Sequence, residues 1–462
     1  MAGAVVEEGS CVSAAARGPG AARTSLLRPI RVGLLGYGTV GSGVAEVLVA
    51  NREEIRRRAG RDIEVARIAV RNVARVRAIL GHSVPVSSDP LEVVRDPDID
   101  VVVELIGGTA AARDLVLEAI AHGKHVVTAN KALLAIYGNE IFAAASRQNV
   151  IVAFEAAVAG GIPIIKALRE GLTANRIDWL VGIINGTTNF ILSEMRDKGL
   201  PFSQVLEQAQ ALGYAEADPT FDIEGIDAAH KVAILAAIAF GIPVQFGSAY
   251  VEGISHLAGE DIRYAEKLGY RIKLLGIAKR RSTGIELRVH PTLIPTRRLL
   301  ANVEGAMNAV WVKGDVVGHT MYFGKGAGKE PTASAVIADL VDVTRMLTSD
   351  PENRVPHLAF QPDELSDIRI LPAGEMETSY YLRMRVRDEP GVLADITRIL
   401  ADGTVSIDAM LQREPDEGEG STDIIVLTHQ TIEHRIDTAI GRIEALPTVL
   451  SSVTRLRVEQ LN

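Results

Sequence analysis

The chain has 462 residues, and its 49 lysines and arginines against 58 aspartates and glutamates give a net charge of −9. Hydrophobic residues make up 47% and charged residues 23% of the sequence. These fractions are close to globular averages and exclude collagen-like, coiled-coil, low-complexity and largely disordered chains. A chain of this length is expected to form about two to four domains.

The composition also argues against several partners and sites. The longest strongly apolar stretch, residues 232–244, is shorter than the ~18–20 residues of a membrane span, so no membrane partner is expected. Cys11 is the only cysteine, which excludes an internal disulfide and a cysteine-ligated metal and indicates a reducing compartment, the cytoplasm. Net acidity without a basic stripe argues against nucleic acid as a partner.

The first 28 residues mix alanine, glycine, serine and arginine without hydrophobic periodicity, so we expect a disordered tail over residues 1–28. A transit peptide is the alternative, because arginines lie among small residues, although Glu7 and Glu8 break the acid-poor pattern of such peptides. In both cases the folded chain begins at about residue 29.

An alternation of strands and helices follows the tail. A helical pattern covers residues 40–58. Apolar runs predict strands at residues 30–35, 63–70, 99–106, 125–128 and 150–154. Strands that alternate with helices form parallel sheets covered on both faces, so we predict an α/β, Rossmann-type doubly wound parallel sheet over residues 29–155.

The pattern changes after about residue 156. Predicted elements are now strands at 178–184, 273–278 and 285–291 and helices at 202–212 and 225–240. The last two strands alternate polar and apolar positions, so we expect antiparallel pairing and an α+β catalytic and oligomerisation domain over residues 156–330. A helix at residues 333–347 is expected to complete the first domain, and residues 349–375 form a polar linker.

The last segment is predicted to be a separate module over residues 376–462. Its predicted elements are a strand at 380–386, a helix at 391–400, strands at 405–412 and 424–429, a helix at 432–445 and a strand at 453–458. This βαββαβ order is that of a ferredoxin-like fold. Residues 414–419 are acidic and are expected to form a solvated hairpin loop.

A glycine-rich motif follows the first predicted strand and opens a helix. Residues 36–41 are Gly-Tyr-Gly-Thr-Val-Gly, in which glycines allow a tight turn and a close approach of backbone to pyrophosphate. This context predicts a dinucleotide site. The second strand ends in Arg71 rather than in an acid, which favours NADP over NAD, although a solvated arginine at a strand end stays the alternative.

Two lysines are candidates for chemistry. Lys131 follows a parallel strand at the sheet edge where open α/β folds bind ligands. Lys231 is four residues after Asp227, so both side chains lie on one face of a helix that continues as an apolar stripe. A surface ion pair is the ordinary explanation, but the apolar helix indicates burial, and a buried lysine with a lowered pKa can donate a proton.

These residues lie in longer motifs, and the chain resembles homoserine dehydrogenase of the long bacterial kind with a C-terminal ACT domain. The motifs occur in the family's order over residues 29–462. They are GYGTVGSG, TANKALLA, FEAAVAGGIPII, GIINGTTNFIL, LGYAEADPTFDIEGIDAAHK and GKGAGKEPTASAV.

The resemblance implies NAD(P)-dependent interconversion of L-homoserine and L-aspartate 4-semialdehyde on the branch to threonine, isoleucine and methionine. It implies that Lys231 is the proton donor, that Lys131 lies between nicotinamide and substrate, and that Glu216 and Asp227 bind the amino acid. The implied cofactor contacts are Gly36, Gly38, Thr39, Val40, Gly41, Arg71, Lys131, Gly213 and Gly328.

The resemblance also implies a monovalent cation site and a regulatory module. The cation, sodium, would be held by oxygens of Glu155, Val158, Gly160 and Ile162, since hard cations prefer oxygen ligands. Residues 388–394, DEPGVLA, match the ligand loop of an ACT domain, which implies L-threonine as effector, and a purely structural module is the alternative. A homodimer or homotetramer that pairs through the central sheet is expected.

Two other functions compete with this interpretation. A semialdehyde dehydrogenase that forms a thioester needs a catalytic cysteine, and Cys11 in the tail cannot serve. A non-catalytic NAD(P)-binding amino-acid sensor needs neither Lys131 nor Lys231. An unaltered activity after substitution of Lys231 would favour the sensor.

Overall fold

The computed structural model describes residues 28–412 and 420–461. The predicted tail up to residue 27, Cys11 and the predicted acidic loop at 414–419 lie outside the described residues. Within the described ranges, no helix has the length and apolar character needed to cross a membrane.

Helices and short 3-10 turns alternate with strands along the described chain. The helices are Thr39–Ala50 (α1), Arg52–Ala59 (α2), Val73–Leu80 (α3), Leu91–Val94 (α4), Ala110–Ala121 (α5), Lys131–Arg147 (α6), Ile164–Lys166 (α7), Gly186–Lys198 (α8), Phe202–Ala211 (α9), Thr220–Ile223 (α10), Ile226–Phe240 (α11), Gly259–Lys267 (α12), Lys329–Met346 (α13), Val392–Asp402 (α14) and Glu433–Glu444 (α15). The strands are Ile30–Leu35 (β1), Ile63–Ala69 (β2), Val86–Ser87 (β3), Val101–Glu104 (β4), His125–Thr128 (β5), Val152–Ala153 (β6), Ile177–Ile183 (β7), Tyr250–Val251 (β8), Tyr270–Arg280 (β9), Ile285–Pro295 (β10), Met307–Gly314 (β11), Gly318–Lys325 (β12), Glu377–Arg387 (β13), Ile407–Gln412 (β14), Ser421–Thr428 (β15), Thr431–Ile432 (β16) and Thr454–Val458 (β17).

The first sheet is parallel, with strand order β3-β2-β1-β4-β5-β6. This is the doubly wound order of Rossmann folds, so the predicted fold class is confirmed. The near-continuous apolar run of β4 is fully buried, as expected for a strand with helices on both faces. Helix α13 packs its buried Ala333, Val336 and Leu340 into the same core.

Some element boundaries differ from the prediction. The single helix predicted over 40–58 is two helices, because Asn51, at φ −108° and ψ 20°, leaves the helical conformation between α1 and α2. The strand predicted over 99–106 ends at Glu104, since Gly107 and Gly108 take positive φ and turn the chain out of the sheet. Strand β3, only two residues long, was not predicted.

The second sheet begins with the antiparallel strands expected from the alternating pattern. Its order is β12-β11-β7-β9-β10-β17-β13-β15-β14. Strands β9 and β10 pair over eleven positions, from Tyr270↔Pro295 to Arg280↔Ile285. Helix α11 packs on this sheet and on α6, so it lies between the two sheets. This position puts residues of α11 beside the loop that begins α6.

The C-terminal module has the predicted ferredoxin-like order. Its strands are arranged β17-β13-β15-β14, all antiparallel, which is the 4-1-3-2 order of a βαββαβ unit. The module is joined to the preceding part of the chain through its last strand. Strand β17 also pairs in parallel with β10, through Thr292↔Arg457 and Leu293↔Val458, so one sheet runs through both parts. The pattern of apolar and polar residues predicts that a segment is a strand, but it does not predict which open sheet edge that strand will join.

The segment predicted as a polar linker is anchored along its length. His357 is half-buried and stacks on Phe142, with ring centroids 5.3 Å apart. Its Nε2 accepts the backbone N–H of Val152 at 3.1 Å. Further along, the N–H of Ser366 donates to the carbonyl of Gly241 at 2.7 Å. These contacts fasten the segment to the first sheet and to the end of α11.

Candidate active site

Lys131 is the first residue of α6, at the carboxyl edge of the parallel sheet. The side chain of Asn130 caps this helix, because its Oδ1 accepts the N–H of Leu133 at 3.1 Å. The Nδ2 of Asn130 donates to the carbonyl of Gly108 at 2.7 Å, across to the loop after β4. The cap fixes the direction in which Lys131 leaves the backbone.

A buried acid lies beneath this loop. Glu104, at the end of β4, is fully buried and accepts the hydroxyl of Thr128 at 2.7 Å and the N–H of Ile106 at 2.9 Å. The Thr128 hydroxyl in turn accepts the N–H of Asn130 at 3.0 Å. Burial raises the pKa of Glu104, although these hydrogen bonds oppose the shift. The network joins the ends of β4 and β5 and holds the loop before Lys131.

Lys231 is buried on α11, whose ends are set by glycines in the left-handed conformation at 225 and 241. Its ammonium group donates to Asp227 Oδ2 at 2.8 Å and to the carbonyl oxygen of Ile184 at 2.8 Å. Burial lowers the pKa of Lys231, and the charge of Asp227 opposes this shift. The predicted pairing on a buried helical face therefore exists, and it is not a surface ion pair.

Asp227 connects this lysine to the first domain. Its Oδ1 lies 3.0 Å from Nζ of Lys131, which is half-buried. Burial alone would raise the pKa of Asp227, but Lys231 and Lys131 hold it well below its ordinary value. Burial disfavours the charged form of Lys131, but the negative charge of Asp227 outweighs this effect and raises the pKa of Lys131. The site therefore holds one carboxylate between two cations from different domains.

Further polar residues, which the sequence pattern does not reveal, surround Asp227. Nδ2 of Asn185 donates to Asp227 Oδ2 at 2.8 Å and to Asp222 Oδ1 at 2.7 Å. The hydroxyl of Thr187 lies 3.1 Å from Asp222 Oδ2 and 2.7 Å from the carbonyl of Tyr214. Asn185 and Thr187 belong to a motif typical of a turn, and no local signal shows that it faces a carboxylate pair 37 and 42 residues later.

Glu216 and Gly213 lie in the loop between α9 and α10, and both are exposed. The structure places neither in contact with the lysines, but the charge of Glu216 contributes to the raised pKa of Lys131. Gln210 Nε2 donates to the carbonyl of Glu216 at 3.0 Å and fixes the loop against the end of α9. The carboxylate of Glu216 is thus open to a ligand.

An aromatic layer borders the lysines on one side. The ring of Phe221 has its centroid 5.8 Å from Lys131 Nζ and 5.3 Å from the ring of His230. His230 also contacts Phe246 edge-on at 4.3 Å, and both its ring nitrogens are buried without a hydrogen-bond partner. Burial lowers the pKa of His230 to about 4, so the ring is neutral near pH 7.

The glycine-rich loop has the shape that a pyrophosphate requires. Gly36 has φ +98°, and a Cβ there would lie 2.7 Å from the carbonyl oxygen of Leu105. A Cβ at Gly41 would lie 2.3 Å from the Gly36 oxygen, whereas a Cβ at Gly38 would meet open space. Gly38 caps α1 without a side-chain hydrogen bond. The open face beside a helix N-terminus fits a dinucleotide phosphate.

The other predicted cofactor residues lie on several elements of the two domains. Arg71 is exposed two residues after Ala69, whose carbonyl accepts the N–H of Gly36 at 2.9 Å. Gly328 begins α13 with φ +126°, and that helix packs on α1 at Gly43. Thr39 is exposed and Val40 is half-buried in the first turn of α1. Gly213 lies in the loop after α9, on the second domain.

The predicted cation loop is buried and strained. Ala159 and Gly160 have φ of 56° and 45°. The two carboxylate oxygens of Glu155 accept the N–H groups of Ile165 at 3.0 Å and Lys166 at 2.8 Å, so the side chain caps α7. Burial raises the pKa of Glu155 to about 7.

The carbonyl oxygens of this loop are the other groups that could bind a cation. Ile162 accepts the N–H of Ile164 at 2.7 Å, and Val158 and Gly160 are buried in the same loop. Within the part of the chain that the structure describes, no group of three His, Cys, Asp or Glu side chains is placed to hold a metal. A neutral carbonyl set fits a monovalent cation better than a transition metal.

Models of three protein families match the chain. Residues 36–155 match the family described as homoserine dehydrogenase, NAD binding domain, residues 163–341 match homoserine dehydrogenase, and residues 380–448 match the ACT domain. The three matched ranges follow the parallel sheet, the antiparallel part of the second sheet and the ferredoxin-like module.

Relatives of known name match over nearly the whole chain. Homoserine dehydrogenase of Pseudomonas aeruginosa is 62% identical over 94% of this chain and 100% of its own length, and that of Neisseria gonorrhoeae is 57% identical over the same shares. The crystal structure of a homoserine dehydrogenase from Thiobacillus denitrificans is 68% identical, with TM-score 0.90, over 94% of this chain and 99% of that one. A hyperthermophilic archaeal homoserine dehydrogenase in complex with NADPH is 27% identical, with TM-score 0.59, over 69% and 98%. This chain belongs to the homoserine dehydrogenase family, whose members are NAD(P)-dependent oxidoreductases.

Proposed function

We propose that the chain interconverts L-homoserine and L-aspartate 4-semialdehyde, with Lys231 as the proton donor to the aldehyde oxygen. The observation that carries the proposal is the buried Lys231 ammonium, fixed by Asp227 and the Ile184 carbonyl at 2.8 Å each. An ammonium has three N–H donors, so the third is left for the substrate oxygen. NAD(P)H, when bound, supplies the hydride.

The lowered pKa of Lys231 supports this role. Reduction of an aldehyde develops negative charge on oxygen, and a nearby cation stabilises that charge and then gives its proton. A lysine at its ordinary pKa is a weak acid near neutral pH, whereas burial lowers the pKa of Lys231. Asp227 keeps the ammonium oriented and prevents its full loss of charge.

Lys131 and the carboxylates are proposed to bind the amino-acid part of the substrate. Lys131 approaches from the first domain and lies 3.0 Å from Asp227, at the border between the cofactor loop and α11. Its raised pKa keeps it charged, as a partner for developing negative charge or a substrate carboxylate. Glu216, exposed, and Asp227, buried, offer carboxylates to the substrate ammonium group.

We propose NADP as the preferred cofactor and sodium as a bound cation. Exposed Arg71 follows β2 beside the glycine loop, where a guanidinium can bind a 2′-phosphate. The buried carbonyl oxygens of Val158, Gly160 and Ile162, with Glu155, are the proposed sodium ligands. The cytoplasmic location expected from a chain with one cysteine stays a prediction.

We propose that the ACT module binds L-threonine as an end-product inhibitor. Its candidate ligand loop, residues 388–394, runs from the end of β13 into the first turn of α14, and Gly391, the residue before that helix, has φ +99°. A Cβ at Gly391 would meet open space, so a ligand has access to the helix N-terminus. The structural contacts of the module described above are also compatible with a role in assembly alone.

A homodimer through the second sheet is the proposed minimal assembly. Four large apolar side chains lie exposed around β12 and its neighbouring turns: Leu299, Val316, Val317 and Phe323. On the adjoining sheet face, Trp179, Trp311 and His319 pack together, with centroids 5.5–5.9 Å apart. An exposed apolar edge of this kind is typical of an interface between copies.

The test is reduction of L-aspartate 4-semialdehyde by the wild-type protein with NADPH and with NADH, followed by absorbance of the reduced nicotinamide. Turnover with both cofactors, and faster turnover with NADPH than with NADH when each is limiting, supports the proposal. A folded protein that binds NADPH but turns over in neither direction would contradict it and favour the sensor. Inhibition by L-threonine, measured in the same assay, separates a regulatory ACT module from a structural one.

A further inference from the structure

Strand β17 of the ACT module lies in the second sheet between a strand of its own module and a strand of the catalytic part. It pairs antiparallel with β13 of its own module, from Ser379↔Val458 to Arg383↔Thr454. Its other edge pairs in parallel with β10 of the catalytic part, and the N–H of Glu459 donates to the carbonyl of Leu293 at 3.0 Å. A change in this strand is therefore transmitted directly to β10.

Arg457 lies on this shared strand, and its side chain is fully buried. Its Nε and Nη2 donate to both oxygens of Glu433 on α15, at 2.8 and 2.5 Å. Its Nη1 donates instead to Glu252 Oε2 at 2.8 Å, in the catalytic part, and its guanidinium stacks on the ring of Tyr250 at 4.6 Å. One guanidinium thus joins a helix of the ACT module to a loop of the catalytic domain.

Glu252 is held firmly at the other end of this contact. Besides Arg457, its carboxylate accepts the hydroxyl of Tyr250 at 2.7 Å and lies 3.3 Å from His256 Nε2. Its own N–H donates to the carbonyl of Val289 on β10 at 2.8 Å. Because a buried guanidinium and carboxylate are costly to separate, the two elements are expected to move together.

The residues after Glu252 pack against the start of α11, the helix that carries Asp227 and Lys231. Gly253 packs so closely that a Cβ there would lie 2.5 Å from the carbonyl oxygen of Ile223. The N–H of Ile254 donates to that same oxygen at 2.8 Å. Ile223 is the last residue of α10, and Gly225, which begins α11, lies against Val289. This turn is therefore in backbone contact with the Glu252 loop.

The turn from α10 to α11 carries two carboxylates of the active site. Asp222 is the residue before Ile223, and Asp227 is in the first turn of α11. Asn185 bonds to both carboxylates, so a shift of the turn would alter their spacing and the position of Lys231. The contacts thus run without a gap from the ACT module to the site.

We propose that Arg457 of the ACT module is a positioning residue for Asp222 and Asp227, acting through Glu252 and the backbone of Gly253. The proposal rests on the substrate-binding role assigned above to Asp227. It assigns to the module a constant part in shaping the site, independent of any effector.

The test compares Arg457→Lys, Glu252→Gln and the double variant with a matched control, Arg455→Lys. Arg455 lies on the same strand and pairs only within the module in its described contacts, with Asp437 and Glu433. We expect each of the two single variants to raise the KM for L-homoserine about threefold to tenfold with a smaller change in kcat. The double variant should resemble the stronger single variant, because both remove one connection. Arg455→Lys should keep the wild-type KM.

A second measurement does not depend on activity. Hydrogen exchange of the amides in residues 220–227 should become faster in Glu252→Gln and stay at the wild-type rate in Arg455→Lys. If Glu252→Gln fails to fold, Tyr250→Phe, which removes only the hydroxyl bonded to Glu252, should give a smaller change in the same direction. Unchanged exchange and unchanged KM in the folded variants would overturn the proposal. Faster exchange with an unchanged KM would show that the turn is connected to Glu252 but that this connection does not position the substrate-binding carboxylates, and it would also overturn the proposal.

Discussion

Lys131 and Asp227 form an ion pair between the two sheets, with 3.0 Å between Nζ and Oδ1. Lys131 begins a helix of the dinucleotide domain, whereas Asp227 is in the first turn of the helix that carries Lys231. The pair brings the cofactor side and the substrate side of the site into direct contact. A substrate that binds both residues must share or replace this pair.

Asp227→Asn tests the electrostatic coupling of the site. In the wild-type protein the charge of Asp227 opposes the lowering of the Lys231 pKa by burial. In the variant this opposition is lost, so the pKa of Lys231 should be lower still. In the proposed mechanism, reduction needs protonated Lys231 and fails as pH rises through the pKa of this lysine, whereas homoserine oxidation needs the neutral amine and becomes faster there. Both limbs should move to lower pH, with kcat reduced by at least about tenfold. Rate profiles against pH in both directions measure this, and unmoved limbs would contradict the assignment.

Gly38→Val and Gly41→Ala separate cofactor binding from folding. A side chain at Gly38 meets open space in the protein, so we expect normal thermal stability but at least about tenfold weaker NADPH binding, because the pyrophosphate needs that space. A Cβ at Gly41 meets the Gly36 carbonyl at 2.3 Å, so that variant should lose stability. Calorimetric titration and thermal melts check both outcomes. Unimpaired NADPH binding by Gly38→Val would place the phosphate elsewhere.

Arg71→Ala tests the cofactor preference. Loss of a guanidinium on the 2′-phosphate should raise the KM for NADPH about tenfold and leave the KM for NADH nearly unchanged, because NADH has no such phosphate. Arg57→Ala, an exposed arginine paired with Glu54 on α2, is the control and should change neither value. Equal KM changes for the two cofactors would show that Arg71 does not bind the phosphate.

Protonation of His357 is expected to lower the stability of the folded protein in mild acid. Burial and, to a smaller extent, the charge of Arg169 lower its pKa to about 4, from 6.5 in an accessible histidine, and the neutral ring accepts the Val152 N–H. Its contribution is complete above pH 6.5 and is lost as pH falls toward 4, to a limit of about 3 kcal/mol. His357→Gln keeps an acceptor without a titrating proton, so its unfolding free energy should fall less between pH 7 and pH 5. Urea unfolding at both pH values measures the difference, and identical falls would refute this role.

Local sequence patterns predicted the elements that depend on local physics. Strands β1 and β5 have the predicted bounds, because each is a short, largely apolar segment that is buried along most of its length. The spacing of Asp227 and Lys231 predicted a shared buried face, since helical geometry alone brings residues four apart together. The glycine motif was informative for the same reason, as its conformations are set by the loop itself.

Contacts between distant elements could not be predicted in this way. Asn185 bonds to Asp222 and Asp227 only because β7 and α11 pack together, and nothing in its own motif shows this. The pairing of β17 with β10 depends on two open sheet edges that meet. The anchoring of His357 likewise requires the end of α6 and strand β6 to be in place. These contacts follow from tertiary packing rather than from periodicity.

The activity of Lys231→Ala in both directions tests the proposed role of Lys231. Loss of the general acid should lower kcat by about 10²–10⁴-fold, while NADPH binding and the folded state, followed by calorimetry and circular dichroism, stay near wild type. Folded Lys231→Ala protein that binds NADPH and turns over at the wild-type rate would show that Lys231 does not transfer the proton.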